Sequence, residues 1–298
     1  MTTRDKSVVQ AVELWLPQGE VLAFGAGAYR GNQDLAAHSA RLNFRYGEGL
    51  PGAVWASGKA LLWKELDRTF VRAEIASEVG IDAALGCPLF DGNRLVAVLT
   101  LLLSHRAEVP GCVEIWDVTD ELDVLRHAGG YYTHAAELER FSPHIQFQRG
   151  TGLPGLTWLS GTVQVMQDVR QSNAFIRAGL AARCGLKNGL GIPIYRDRHV
   201  VQVLALLGAE QFSFMRGVEI YRPERGVLGA ATLVDWSGRG SARGESSADA
   251  PGRKLAEQVM ASCLPALAET RSPSGAEISL ALSLSDRKGH KEIVVLRF

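Results

Sequence analysis

Two stretches of this chain repeat one another and decide its organisation. Residues 47–58 read GEGLPGAVWASG, and residues 150–161 read GTGLPGLTWLSG, with eight identities at an offset of 103. A second block, F-x-R-A-x-x-A-x-x-x-G, begins at Phe70 and again at Phe175, at an offset of 105. Several ordered blocks therefore recur with one small insertion, and such a pattern predicts two homologous domains.

A shorter motif precedes each of these blocks and occurs a third time. V-E-L-W begins at Val12, V-E-I-W at Val113 and V-E-I-Y at Val218, and the third copy has no GLPG downstream. We expect one domain over residues 8–106 and a second over residues 110–215.

The remaining residues, 216–298, are interpreted as a truncated third unit. Their pattern predicts a helix over residues 254–269 between two hairpins, so that a first hairpin, one helix and a last hairpin remain while the GLPG middle is deleted. A stretch rich in Gly and Ser at about residues 237–252 is predicted to be a flexible loop, because it cannot bury a core.

Composition excludes several classes of protein. The chain has 298 residues, with 32 Lys and Arg against 32 Asp and Glu, so it has no net charge to attract nucleic acid or an anionic membrane. The longest apolar run, Leu95 to Leu103, is too short to cross a bilayer, and no signal peptide is evident. The four cysteines are widely spaced, as is typical of reduced thiols. We expect a soluble cytoplasmic protein that binds neither nucleic acid nor membrane.

The two repeated blocks, followed by G-x-P-L or G-x-P-I, resemble GAF domains, most closely those of bacterial sensor kinases and other signalling proteins. The resemblance covers roughly residues 10–104 and 111–213. It implies an α+β fold of tandem GAF (PAS-like) domains, each with a central antiparallel sheet of about six strands and helices on both faces, plus a degenerate C-terminal α/β unit. Such domains usually bind a small molecule under their middle segment, or mediate dimerisation, and pass a conformational change to an effector.

Specialised GAF chemistries lack their characteristic residues here. No N-K-F-D signature for cyclic nucleotides is found, and neither Cys87 nor Cys184 has the adjacent His of bilin-binding relatives. Relatives that reduce free methionine sulfoxide need a cluster of reactive cysteines, which the four widely spaced cysteines of this chain do not obviously supply. The histidines show no metal spacing, and no Ser, His and acid set is repeated. We therefore expect no cofactor, no metal and no enzymatic activity.

The candidate ligand-binding residues lie in the two middle segments, and they are Trp63, Phe70, Arg72, Met166, Phe175 and Arg177. The guanidinium of Arg72 or Arg177 could bind a carboxylate or phosphate of a ligand. The alternative is an internal ion pair with Glu65 in the first copy or Asp168 in the second.

Three functions are compatible with these residues. The leading hypothesis is a non-enzymatic sensory protein that binds an unidentified small molecule and signals to a second copy of itself or to a separate effector protein. The alternative is a structural or dimerisation scaffold whose GAF pockets are filled and bind no ligand. A third possibility is thiol-based redox sensing by Cys87 or Cys184.

Overall fold

The chain folds into three antiparallel sheets of six strands each, which follow one another along the sequence. The computed structural model describes residues 7–66, 70–106, 108–172, 175–209, 214–224, 227–229, 231–236, 244–245, 252–272, 275–285 and 291–298. Within them, no helix has the length and hydropathy needed to cross a membrane.

The first unit contains six strands and three helices. In chain order they are β1 (Val9–Gln18), β2 (Val21–Ala28), α1 (Gln33–Ser39), β3 (Asn43–Arg45), α2 (Gly49–Ser57), β4 (Leu61–Lys64), α3 (Ala73–Val79), β5 (Ala83–Asp91) and β6 (Arg94–Leu103).

The second unit repeats this order and adds two short 3-10 helices, Asp120–Leu122 and Ser142–His144. Its other elements are β7 (Gly111–Thr119), β8 (Val124–Thr133), α4 (Ala136–Phe141), β9 (Gln146–Gln148), α5 (Gly152–Ser160), β10 (Gln164–Met166), α6 (Ala178–Arg183), β11 (Asn188–Arg196) and β12 (His199–Gly208).

The third unit also builds a six-stranded sheet, beside a separate two-stranded ribbon formed by β14 and β15. Its elements are β13 (Gly217–Tyr221), β14 (Pro223–Glu224), β15 (Val227–Leu228), β16 (Thr232–Asp235), β17 (Gly244–Glu245), α7 (Arg253–Ser262), β18 (Ala266–Ser272), β19 (Gly275–Ser285) and β20 (Lys291–Arg297).

All three sheets have the same strand order. The first sheet runs β3-β2-β1-β6-β5-β4, the second β9-β8-β7-β12-β11-β10 and the third β17-β16-β13-β20-β19-β18. In each unit the first and last strands are neighbours at the centre, and the third and fourth strands form the edges. The α+β architecture and the sheet of about six strands therefore agree with the sequence prediction.

The GLPG motif forms the first turn of a helix in both copies and anchors it to the sheet. Leu50 and Leu153 are fully buried. A Cβ atom on Gly52 would lie 2.1 Å from the carbonyl oxygen of Arg45, and one on Gly155 would lie 2.2 Å from that of Gln148. The motif ends in glycine because any side chain there would separate the helix from the third strand of its unit.

The helix of the third unit corresponds to the GLPG helix of the first unit, which the interpretation of a deleted middle had excluded. In the third unit, α7 lies between the third and fourth strands, as α2 does in the first unit. Counterparts of α1 and α3 are missing from the described part of this unit, so the helix at the GLPG position is kept and the interpretation of a deleted middle is corrected. The loop predicted at 237–252 lies outside the described residues, apart from 244–245 and 252.

The helix predicted over residues 254–269 ends early. The structure has α7 at Arg253–Ser262, and Cys263 caps it with a φ of 56° in the left-handed region. Pro265 then lacks the amide hydrogen that a helix needs, and Ala266–Ser272 forms the edge strand β18. The prediction failed because apolar periodicity was extended across a proline.

Helices cover one face of each sheet, whereas the other face packs against the neighbouring sheets. In β6, Val98 and Leu102 lie in the core beneath the helices of the first unit. Leu99 and Leu101 point the opposite way, into one core that also contains side chains of the second and third sheets, such as Leu204. The prediction of helices on both faces is thus wrong, because the apolar second faces are covered by one another.

The contact between successive sheets is repeated. The amide N–H of Ala60 donates to Gln202 Oε1 of the second unit at 2.6 Å. At the equivalent place 103 residues on, the amide of Val163 donates to Glu292 Oε2 of the third unit at 3.2 Å. The first unit is thus joined to the second in the same way as the second is joined to the third.

Candidate functional site

A buried polar network lies beneath the helices of the second unit. Glu114 is on β7, and its carboxylate accepts two parallel hydrogen bonds from Arg177, at 2.8 and 2.7 Å. Ser142 donates to the same carboxylate at 2.6 Å, and Tyr132 donates to it at 3.0 Å. Both charged side chains are almost inaccessible to solvent. A bidentate pair with further donors is the arrangement that makes a buried charge tolerable.

The first unit contains the same network at equivalent positions. Arg72 donates to both carboxylate oxygens of Glu13 and to Ser39 Oγ. Tyr29 donates to Glu13 Oε1 at 3.1 Å. Two units that differ at most positions therefore keep the same four residue types in contact.

The third unit keeps the glutamate of the repeated V-E motif but pairs it differently. Glu219 accepts from Tyr221 Oη at 2.6 Å and from the amide of Gly252 at 3.2 Å. Arg297 Nε lies 3.8 Å from its carboxylate. This arginine comes from the last strand, β20, because the described part of the unit has no counterpart of α3 to supply one.

The glutamates were missed as functional residues, and the predicted ion pairs are wrong. Arg72 and Arg177 pair with Glu13 and Glu114 on the central strands, not with Glu65 or Asp168; Asp168 instead pairs with the nearby Arg170. The signal that could have found the partners was a glutamate repeated inside an apolar strand, since a buried carboxylate requires a partner.

The predicted pocket residues occupy two kinds of position. Phe70 and Phe175 are buried, and their rings lie 5.2 and 5.5 Å from the guanidinium carbons of Arg72 and Arg177. The structure therefore brings each phenylalanine and arginine together. Trp63 on β4 and Met166 on β10 are partly buried and pack against the helix-side cores of their units.

A cleft of about 570 Å³ lies over the network of the first unit. Its walls contain Phe70 and Arg72 of the predicted site, together with His38, Val71, Ala73, Glu74 and Ile75. Arg72 is only 4% exposed, and its Nε–H has no hydrogen-bond partner among the described residues. An unsatisfied buried donor costs about 1–3 kcal/mol, so an acceptor oxygen at this position would be stabilising.

The pKa values of Glu114 and His127 in the second network are both lowered, for different physical reasons. Burial opposes ionisation of Glu114, but the charge of Arg177 and the hydrogen bonds from Arg177 and Ser142 outweigh it and lower the carboxyl pKa. Burial lowers the pKa of His127, as do the charges of Arg177 and Lys64, against the opposing effect of Glu114. The imidazole is therefore held neutral in the folded state.

His127 extends this network toward the surface. Its Nε2 lies 3.0 Å from Tyr132 Oη. Since the tyrosine hydroxyl donates its proton to Glu114, His127 is the donor in this contact. Phe24 occupies the corresponding position of the first unit. Each ring packs edge to face against a buried tryptophan, with ring centroids 5.2 Å apart for His127 and 5.5 Å apart for Phe24.

We expect His127→Phe to reduce the loss of stability on acidification. A histidine whose folded pKa is lowered contributes stability above its unfolded pKa of about 6.5, and that contribution is lost as the pH falls. Urea unfolding at about pH 7.5 and pH 5.5 measures the difference for the wild type and the variant. An equal difference in both proteins would contradict the prediction.

Two of the four cysteine thiols are buried and have raised pKa values. Burial raises the pKa of Cys87 to about 12, and burial together with the nearby Glu114 raises the pKa of Cys112 well above its usual value. Such thiols are not ionised at neutral pH. No group of three metal-binding side chains occurs among the described residues.

Solved structures similar to part of this chain include GAF domains. No family model and no curated protein matches the chain. A free methionine-R-sulfoxide reductase from Neisseria meningitidis, solved with its substrate, is 20% identical with a TM-score of 0.27, over 34% of this chain and 53% of that one. The NLH2 GAF domain of A. aeolicus, in an inactive state, is 19% identical with a TM-score of 0.26, over 32% and 58%. The GAF domain of an Acinetobacter phosphoenolpyruvate-protein phosphotransferase is 16% identical with a TM-score of 0.27, over 35% and 57%.

This chain spans just over half the length of each of those three structures. Further free methionine-R-sulfoxide reductases are among the matches. The expectation of no enzymatic activity is therefore wrong as a conclusion from the fold, because proteins of this fold include enzymes. The resemblance to GAF domains predicted from the sequence is confirmed at the level of fold, over about a third of the chain.

Proposed function

We propose that this protein is a regulatory sensor whose first unit binds a small molecule in the cleft above Arg72. The observation that carries the proposal is the cleft whose walls include Arg72, a buried arginine whose Nε–H lacks an acceptor among the described residues. The cleft volume of about 570 Å³ lies within the range of about 300–1,000 Å³ that is typical of small-molecule sites.

The cleft has a mixed lining, with His38 and Glu74 beside apolar side chains, which favours a ligand with both polar groups and apolar surface. Phe70, Val71 and Ile75 supply apolar surface. The charge of Arg72 is balanced by Glu13 at the other edge of the guanidinium, so a neutral carbonyl or hydroxyl oxygen satisfies the free donor as well as an anion does.

The position of Arg72 connects the cleft to the rest of the unit. Arg72 directly precedes helix α3 and is fixed to strand β1 through Glu13. A ligand that prefers one arrangement of α3 over the sheet would shift the population toward it. We propose that a second copy of the chain or a separate effector protein reads this change.

Val71→Asp tests the cleft without disturbing the buried network. Val71 is 58% exposed, so the variant should fold normally while it places a carboxylate in the apolar wall. In a thermal-shift screen against a metabolite library, we expect compounds that stabilise the wild type to lose most of this effect in Val71→Asp, because the added carboxylate changes the charge and shape of the cleft wall.

Ile176→Asp is the matched control, because Ile176 occupies the equivalent position of the second unit and is 54% exposed. It should leave the thermal shift unchanged. Two results would count against a sensor in the first unit. One is a library in which no compound stabilises the wild type, and the other is an equal thermal shift in the wild type and in Val71→Asp.

A scaffold is the second candidate function. Phe70 and Phe175 are at most 6% exposed, and Arg72 and Arg177 are both 4% exposed, so these predicted pocket residues are packed in both units. If no metabolite binds, we propose instead that the GAF-like units present interaction surfaces to a partner.

A further inference from the structure

The last hairpins of the three sheets enclose an apolar cavity that is separate from the proposed sensory cleft. Hairpins β5–β6, β11–β12 and β19–β20 occupy equivalent places in their units, and each contributes side chains to its wall. The cavity has a volume of about 60 Å³. Its apolar lining includes leucines from all three units, such as Leu99, Leu204 and Leu282, together with Cys87. A cavity with such walls stays dry, so it is available to an apolar ligand.

Burial of the lining residues changes along the cavity. Leu85, Leu206 and Phe298 are at most 3% exposed and form its deep end. Toward the hairpin turns, Leu89 and Leu284 are half-buried. Within the described part of the chain, the cavity is therefore closed at one end and reaches toward the surface at the other.

One positively charged side chain lies at the outer end of the cavity. Arg198, in the turn between β11 and β12, is the charged residue among the described residues that line the cavity. It is exposed and has no ion pair or hydrogen bond to another described residue. A guanidinium in this position suits a carboxylate.

The volume limits the apolar part of the ligand. A water-sized atom needs about 10–15 Å³ of such space, so about four to six heavy atoms fit in a row. The geometry points to a site for a short linear carboxylate, with its alkyl chain between the three hairpins and its carboxylate at Arg198. Hexanoate is a suitable probe.

Calorimetric titration with sodium hexanoate and with 1-hexanol tests this site. We expect hexanoate to bind the full-length chain and to raise its melting temperature. Arg198→Gln should weaken hexanoate binding by about tenfold, as loss of a charge-assisted hydrogen bond does. It should not change the binding of 1-hexanol. Arg183→Gln, at an exposed arginine of α6, is the control and should leave both titrations unchanged.

Cys87→Phe adds about five heavy atoms to the cavity wall and should abolish hexanoate binding while the fold is retained. Cys112→Phe is the matched control, because Cys112 is equally buried but lies in the closely packed helix-side core of the second unit; it should lower the melting temperature. If Cys87→Phe does not fold, Leu89→Trp at the half-buried rim replaces it.

Three results would overturn the proposal. They are the absence of hexanoate binding to the wild type, undiminished binding after the cavity is filled, and equal affinity for hexanoate and 1-hexanol. Val71→Asp should leave hexanoate binding intact, so the failure of this site and the failure of the sensory cleft are distinguishable.

Discussion

Deletion of residues 216–298 is expected to leave the first two units unable to form a stable monomer. The third sheet contributes Val218, Ile220, Leu280 and Leu296, among others, to the core that all three sheets share. Full burial of one such side chain is worth about 1.5–3 kcal/mol, and a typical domain is stable by only about 5–15 kcal/mol. The exposed faces of the first two sheets would also form a large apolar patch, which promotes aggregation.

Size-exclusion chromatography and thermal unfolding followed by circular dichroism measure this effect on residues 1–215. We expect aggregation, or loss of the cooperative transition. Co-expression of residues 216–298 as a separate chain is the control, and it should restore a monomeric complex because the same face is covered again. A shortened chain that runs as a monomer and melts at the wild-type temperature would show that the units fold independently.

The shared core marks the limit of what the sequence could predict. Residues 95–103 are apolar at almost every position, which indicates a strand covered on both faces. The repeat further predicted the same fold in both copies. Neither observation states what covers the second face, because Leu99 and Leu101 are as compatible with a layer of helices as with another sheet. Strands that pack together there, such as β5 and β11, lie about a hundred residues apart along the chain, beyond the reach of any local pattern.

The candidate site shows the same limit. The motif containing Phe70 and Arg72 could be read from the repeat, and the structure does bring these two side chains together. The carboxylate that holds Arg72 could not be chosen by proximity along the chain, because strand β1 is brought next to it only by folding. Glu13 was nevertheless marked by its place inside an apolar strand, where an unpaired carboxylate would be costly.

Removal of either member of the buried pair in the second unit should destabilise the protein strongly. Glu114→Ala leaves the guanidinium of Arg177 without a counter-charge in a site that is almost inaccessible to solvent. Arg177→Ala leaves the Glu114 carboxylate with only neutral donors. Breaking a buried pair in this way costs about 3–5 kcal/mol. Urea unfolding at neutral pH should show this loss for each single variant.

The double variant Glu114→Leu/Arg177→Met separates an uncompensated charge from a general packing defect. Because it removes both charges and keeps apolar volume, it should lose much less stability than either single variant, and such replacements are often neutral. An exposed pair, Arg183 and Glu137, is the matched control; Glu137→Ala should cost at most about 1 kcal/mol. If the double variant is as unstable as the sum of the single variants, the pair is not energetically coupled. The network would then owe its repetition in both units to something other than the burial of charge.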